Sequence, residues 1–240
     1  MLCADRPADR PKCVLWDFDG TLAYREGMRS QAVADVVNRE LPSRHLTRAD
    51  VTVHLQSGFP WHTPAEPHLH LTDAEQWWHS LYPVLANAVC LATGLPLPVA
   101  SALAPKIRAE YLAPSGWRLY PDAIPCLSRL KARGWQHVVL SNHVPELSGL
   151  IAALGLGAWF CAVFSSALTG YEKPHPQAYG IALAHVPSNA LVWMVGDSYS
   201  ADVVGAERCG ISAILVRNPH PNAGRYEPDL ARLASRLGAK

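Results

Sequence analysis

Apolar residues in this chain fall into two textures: short continuous runs closed by turn-forming residues, and longer stretches with helical spacing. Val14-Leu15-Trp16, Val138-Val139-Leu140, the run 190–195 and the run 211–216 are rich in Val, Leu, Ile and Trp and end at Asp, Ser, Gly or Arg. Runs of this length and composition predict strands buried on both faces. A shorter strand is predicted over 159–165, and 211–216 reads as the last strand of the sheet. Between the runs, 123 to about 134, 145–154, 177–184 and 202–209 carry helical spacing, the last closed by Gly210. Strand and helix thus alternate, which predicts an α/β fold with a doubly wound parallel sheet. Leu230, Leu233 and Leu237 sit at helical spacing and predict a terminal helix.

Residues 25–115 break this alternation. Helical periodicity covers 29–41 (with Val33, Val36 and Val37), 47–56, 72–91 and 98–112. Pro42, Gly58, Pro60, Pro64, Pro67, Gly94 and Pro96 separate these stretches, and Pro83 and Pro105 are expected to kink or shorten the last two helices. The chain therefore divides into an α/β core of residues 1–24 and 116–240 and an inserted helical cap of residues 25–115.

Composition narrows the partners. With 240 residues and 49% hydrophobic content, the chain has material for a large core and a smaller second domain. A formal net charge of +1 provides no global field for nucleic acid or an anionic membrane, so neither is expected as a partner and any phosphate affinity must be local. The first dozen residues, with Asp5, Arg6, Pro7, Asp9 and Arg10, lack the apolar stretch of a signal peptide, and no later run is long enough to span a bilayer. A cytoplasmic location is the expectation. Cys3, Cys13, Cys90, Cys126, Cys161 and Cys209 form no C-x-x-C pair and read as reduced structural thiols, with Cys13 and Cys161 in apolar surroundings.

The chemistry lies where the strands stop. Asp17 and Asp19 follow the first run, and residues two apart on a strand or its extension project to the same side, so both carboxylates can address one atom. Gly20 permits the turn and Thr21 offers a hydroxyl and an amide to an anion. The same D-x-D-G string also serves calcium loops and plain hairpins. Ser141-Asn142-His143 closes the second run, a pattern that also caps helices. Lys173 precedes Pro174 and is followed by Pro176, which suits a fixed cation, although an exposed loop lysine reads the same way. Gly196-Asp197 closes the third run, with Asp202 five residues on; that pair would equally cap the following helix.

Taken in order, strand-DxDGT, strand-SN, Lys-Pro and strand-GDxxxxD resemble the four motifs of the haloacid dehalogenase-like hydrolase superfamily, over residues 12 to about 24 and about 117 to 220. The closer resemblance is to members whose cap is inserted between the first and second motifs. It implies a Rossmann-like core and phosphoryl chemistry. Asp17 would be the nucleophile forming an aspartyl-phosphate, and Asp19 the general acid and base. A second aspartate at position 19 marks phosphatase-like members and disfavours dehalogenation. The resemblance further implies Mg²⁺ held by Asp17, the Asp19 carbonyl and Asp197, with Asp202 orienting Lys173 or a water at the metal. Ser141 and the Asn142 amide would hold phosphate oxygens, Lys173 would offset charge on Asp17 and the transferring group, and Thr21 would shape the first loop and meet the phosphate through its backbone.

The leading expectation is a Mg²⁺-dependent phosphomonoester hydrolase acting on a small phosphorylated metabolite. A sugar phosphomutase on the same core, and a catalytically silent binding or regulatory protein, are the alternatives. Arg25 and Arg29 are candidates for a second anionic group on the substrate, or an exposed hinge pair. His62, His68, His70 and His79 lack structural-zinc spacing and are expected at most to contact substrate; His143 either contacts substrate or fills its loop. Trp77 and Trp78 are adjacent on a helix, so at least one belongs to the cap interior.

Overall fold

The computed structural model describes residues 10–238. Residues 1–9, and with them Cys3, Asp5, Arg6, Pro7 and Asp9, lie outside the described part. A six-stranded parallel sheet is built from β1 (Lys12–Trp16), β4 (Trp135–Ser141), β5 (Ala162–Ser165), β6 (Leu191–Gly196), β7 (Ser212–Val216) and β8 (Tyr226–Glu227) in the order β5-β4-β1-β6-β7-β8. A separate antiparallel ribbon pairs β2 (Ala23–Arg25) with β3 (Trp117–Leu119). The alternation of side chains along each strand sends Val14, Trp16, Val139, Val195 and Ile214 to one face, which α5 (Ala123–Lys131), α6 (Leu147–Ala153) and α10 (Leu230–Leu237) cover. Cys13, Leu15, Val138, Leu140, Met194 and Leu215 go to the other, under α8 (Pro176–Leu183) and α9 (Gly205–Arg208), which follow the short α7 (Ser166–Thr169). Helices thus cover both faces, as a doubly wound parallel sheet requires.

Between β2 and β3 stand α1 (Met28–Glu40), α2 (Arg48–Thr52), α3 (Ala74–Thr93) and α4 (Leu97–Leu112), with α3 against α4 and α4 against α1. Their interior continues into the first face of the sheet through the rings of Tyr111, Trp117 and Phe18, whose successive centroids lie 5.6 and 5.7 Å apart. Both Trp77 and Trp78 are buried, and the Trp78 indole N–H donates to Glu146, at the start of α6, at 3.0 Å. Arg108 of α4 pairs with the same carboxylate at 2.7 Å.

Several expectations change. Pro83 and Pro105 lie inside helices that neither of them shortens. Each proline forfeits one backbone hydrogen bond, but the apolar face of α3 (Trp77, Trp78, Leu81, Leu85, Val89) is buried against its neighbours and outweighs that local cost. Helix α2 is shorter than its apolar spacing suggests, its start fixed by a reciprocal Thr47–Asp50 capping box. The segment after Asp197 is wound first as a π-helix, Tyr199–Val204, and only then as α9. Residues 211–216 are not the last strand, since β8 adds two residues beyond β7. Cys161 is exposed rather than packed, its Sγ against the His137 carbonyl at 3.2 Å; the described cysteines are all free. No helix among the described residues is long and apolar enough to cross a membrane.

Candidate active site

Strand β1 has β4 on one side and β6 on the other, and its carboxyl end is where the direction of sheet winding reverses. Open α/β sheets bind ligands at that point. The ends of β1, β4 and β6 deliver Asp17, Ser141 and Asp197, while the segment before α8 brings Lys173. Register places Trp16 opposite Val139 and Val195, so the three strand ends lie level.

Asp17 is 7% exposed and its carboxylate is held on three sides. Its Oδ1 accepts from Ser141 Oγ and from Lys173 Nζ, each at 2.9 Å, and its Oδ2 accepts from Thr21 Oγ1 at 3.3 Å. Lys173 also donates to Asp202 Oδ1 at 2.6 Å, and Asp202 Oδ2 accepts from the Ser198 N–H at 2.9 Å. The Asn142 side chain engages the lysine loop with both polar atoms. Its Oδ1 accepts from the Lys173 N–H at 2.7 Å and its Nδ2 donates to the Lys173 carbonyl at 2.8 Å. Thr21 is fully buried and shapes the loop.

Two glycines make room for this network. Gly20 has φ +76°, a left-handed conformation, and a β-carbon there would overlap the Asp197 carboxylate. At Gly196 the φ is ordinary, but a β-carbon would overlap Asp202.

Charge in the site is unbalanced. Burial would lower the Lys173 ammonium, but Asp17 and Asp202 overcome it and hold the group above its ordinary range. Burial and the charge of Asp17 push the carboxyls of Asp197 and Asp202 up, an effect that Lys173 opposes. Burial and the charge of Asp17 likewise raise Asp19, an effect that Arg29 opposes. Asp17, Asp197 and Asp202 offer carboxylate oxygens within 4.8 Å of one another. Both oxygens of Asp202 already have partners, while Asp197 has no ion-pair partner among the described residues. This all-oxygen donor set with excess negative charge fits a hard divalent cation.

A cavity of about 290 Å³ opens over these groups, with Asp17, Asp19, Lys173 and Asp197 on the core side. Met28 and Arg29 of α1 and Trp61 of the α2–α3 connection close it from the insert. The two arginine candidates separate here. Arg25 is buried and pairs with Glu110 at 3.0 Å, so it braces the base of the insert; Arg29 faces the cavity. His62 and His68 line a different groove together with Phe59 and Pro60, and His79 bonds the Glu75 carbonyl at 2.6 Å. Among the described residues, these histidines form no cluster close enough to hold a metal. A larger cavity of about 580 Å³ at the opposite end of the sheet has Arg10 as its one charged lining residue among those described.

Two residues beyond the motifs, His143 and Arg217, contact the site, and a third, Glu172, lies next to Lys173 in the chain. His143, whose neighbouring Ser-Asn was the only sequence signal, is buried among Phe18, Tyr111 and Trp117 with its Nε2 3.5 Å from Asp19 Oδ1. Burial pushes its imidazole down to about 4. Glu172 is buried beside Lys173, with Oε2 unpartnered, and burial pushes it up to about 7. Arg217, left-handed at φ 62°, donates from Nε to the Thr21 carbonyl at 3.0 Å and pairs with Asp122 at 2.6 Å, bracing the Asp17 loop from behind. No local pattern marks either residue.

Fold and site together give an α/β chain with an acidic cluster at its strand ends, and comparison with known proteins identifies the class. The family model for haloacid dehalogenase-like hydrolases matches residues 11–210, and the chain belongs to that family. The human haloacid dehalogenase-like hydrolase domain-containing protein 3 is 28% identical over 152 residues, covering 62% of this chain and 59% of that protein; the chain thus spans about three fifths of that relative's length. A phosphoserine phosphatase of Thermus thermophilus is 34% identical over 134 residues, covering 51% of this chain and 53% of its own. Among solved structures, the HAD hydrolase YfnB of Bacillus subtilis, bound to magnesium, superposes with a TM-score of 0.70 at 17% identity, over 96% of this chain and 100% of that one.

Proposed function

We propose that this chain is a Mg²⁺-dependent phosphomonoester hydrolase of small phosphorylated metabolites that works through an aspartyl-phosphate at Asp17. The observation that carries this reading is the immobilised Asp17 carboxylate at a strand end, held by Ser141 and Lys173 at 2.9 Å each, with Asp19 in the same cavity. A nucleophile fixed in this way needs no reorganisation before in-line attack.

An Asp17 oxygen bonds to phosphorus as the phosphorus–oxygen bond to the alcohol breaks, and Asp19 gives the departing alcohol its proton. Water then attacks the phosphorus of the aspartyl-phosphate, Asp19 takes a proton from it, and inorganic phosphate leaves with Asp17 restored. Lys173 offsets negative charge on Asp17 and on the transferring group, and Asp202 fixes the ammonium. Asp17, the Asp19 carbonyl and Asp197 would hold Mg²⁺, which supplies positive charge to the phosphoryl oxygens when bound. Residues 25–115 act as a cap over the α/β core, bringing Arg29 and Trp61 over the cavity and restricting water. The phosphoserine phosphatase relative supports phosphomonoester chemistry on this sequence pattern.

The test is phosphate release from p-nitrophenyl phosphate and a panel of metabolite phosphates, with and without Mg²⁺, for the wild type and Asp17→Asn. Metal-dependent release abolished by the substitution supports the reading. Release that survives loss of the Asp17 carboxylate refutes it.

A further inference from the structure

Arg29 forms no ion pair with the catalytic groups, although its charge reaches Asp19. Its guanidinium lies 4.3 Å from the ring centroid of Trp61, 5.1 Å from Phe59 and 6.0 Å from Tyr111. The Phe59 and Trp61 rings stack on each other at 4.8 Å and 14°, so the group rests on a preformed aromatic shelf. Arg25, Arg39, Arg108 and Arg217 each pair with a carboxylate, but among the described residues no carboxylate comes within 4.0 Å of Arg29. Aromatic faces hold a guanidinium in place without neutralising it, which leaves the planar fork of donors for an incoming anion. Lys173, the other cation lining the cavity, is already committed to Asp17 and Asp202. Arg29 also enters the cavity from the insert, whereas Ser141 and Lys173 belong to core elements, so a substrate whose phosphoryl group sits on the core side would turn its remaining part toward Arg29. The first turn of α1 contains no acidic residue and no capping side chain that would compete for it.

We propose that Arg29 selects the substrate by binding a second oxyanion, a carboxylate, carried on the alcohol portion of the phosphomonoester. The substrate class is then small acid-bearing phosphomonoesters, of a size that a cavity of about 290 Å³ admits. This rests on the phosphatase reading above. A carboxylate meets the guanidinium fork through two parallel N–H···O bonds, whereas a neutral hydroxyl in the same position accepts at most a weaker one.

The experiment compares kcat/KM for 2-phosphoglycolate with that for 2-hydroxyethyl phosphate, a neutral analogue of similar length, in Mg²⁺, for the wild type, Arg29→Met and Arg29→Lys. The wild type favours the acid, and the ratio of the two values falls about 10- to 100-fold in Arg29→Met, mostly through KM. Arg29→Lys, which keeps the charge and loses the fork, gives an intermediate ratio. Because the ratio is taken on one preparation, general loss of folded enzyme cancels from it. Should Arg29→Met turn over neither substrate, Arg29→Lys decides: a ratio lowered at least threefold supports the assignment and an unaltered one overturns it. Turnover of both substrates with the same ratio in wild type and Arg29→Met leaves the phosphatase intact and overturns the role of Arg29. Failure of the wild type to release phosphate from either compound or from p-nitrophenyl phosphate overturns the phosphatase reading, and this inference with it.

Discussion

His143 Nε2 stands 3.5 Å from Asp19 Oδ1, and each is a buried atom with no hydrogen-bond partner. The ring is held by Phe18, Tyr111 and Trp117, so it forms a fixed wall against which the Asp19 carboxyl rests. Replacing it with Ala should free that carboxyl and impair proton delivery to the leaving alcohol. A nitrophenolate leaves without a proton and an alkoxide does not. The expected result for His143→Ala is therefore a loss of kcat of about 10- to 100-fold on an alkyl phosphate and a clearly smaller one on p-nitrophenyl phosphate. Equal losses on both substrates would rule the relationship out.

The convergence of Asp17, Asp197 and Asp202 predicts a metal effect on stability that is separate from turnover. Saturating Mg²⁺ should stabilise the folded chain by roughly 2–3 kcal/mol and raise Tm by about 5–10 °C. Asp197→Asn removes one of the repelling carboxylates. It should raise the stability of the metal-free protein by about 1 kcal/mol and abolish most of the Mg²⁺ response. Differential scanning calorimetry with and without the ion reads both effects, and a full Mg²⁺ shift in Asp197→Asn would contradict the assignment.

Gly196 tests the crowding at the end of β6. Its backbone conformation suits any residue, but a β-carbon would overlap Asp202. Gly196→Ala should displace that carboxylate from Lys173 and reduce kcat/KM at least 100-fold, with an unaltered far-UV circular dichroism spectrum. Gly224, where a β-carbon meets nothing within 4 Å, provides the control. Gly224→Ala should change stability by no more than about 0.5 kcal/mol.

His137 predicts a pH dependence of stability. Its Nδ1 accepts from the Trp16 indole N–H at 3.1 Å and its Nε2–H donates to the Leu127 carbonyl at 3.1 Å, so both nitrogens are satisfied only in the neutral ring. Burial pushes its pKa down to about 4. The unfolded chain protonates this imidazole near 6.5 and the folded chain only near 4. Its contribution is complete above 6.5 and is lost as pH falls through that window, on the order of 3 kcal/mol in all. Urea midpoints between pH 7 and pH 4 should fall less steeply for His137→Gln than for the wild type; parallel curves would refute this.

The chain carried its strand ends openly. Runs such as 14–16 and 138–140 are legible because a doubly covered strand must be apolar on both faces, and Asp17, Ser141 and Asp197 stand out because polar residues close those runs. Lys173 was marked by its prolines, and the insert by a change of period. The β2–β3 ribbon was not legible, since three residues per strand are too few for a period to register.

What tertiary structure alone decided is which of several equivalent residues reach the centre. Arg25 and Arg29 are both arginines at the entry to the insert, yet one meets Glu110 and the other an aromatic shelf over the cavity. Arg217 acquires its role from a loop that returns about 200 residues after Thr21. Local sequence determines period, turn and charge, because these act over a few residues. The partner of a charge is set by distances between segments far apart in the chain, which only the packed sheet and its inserted helices establish.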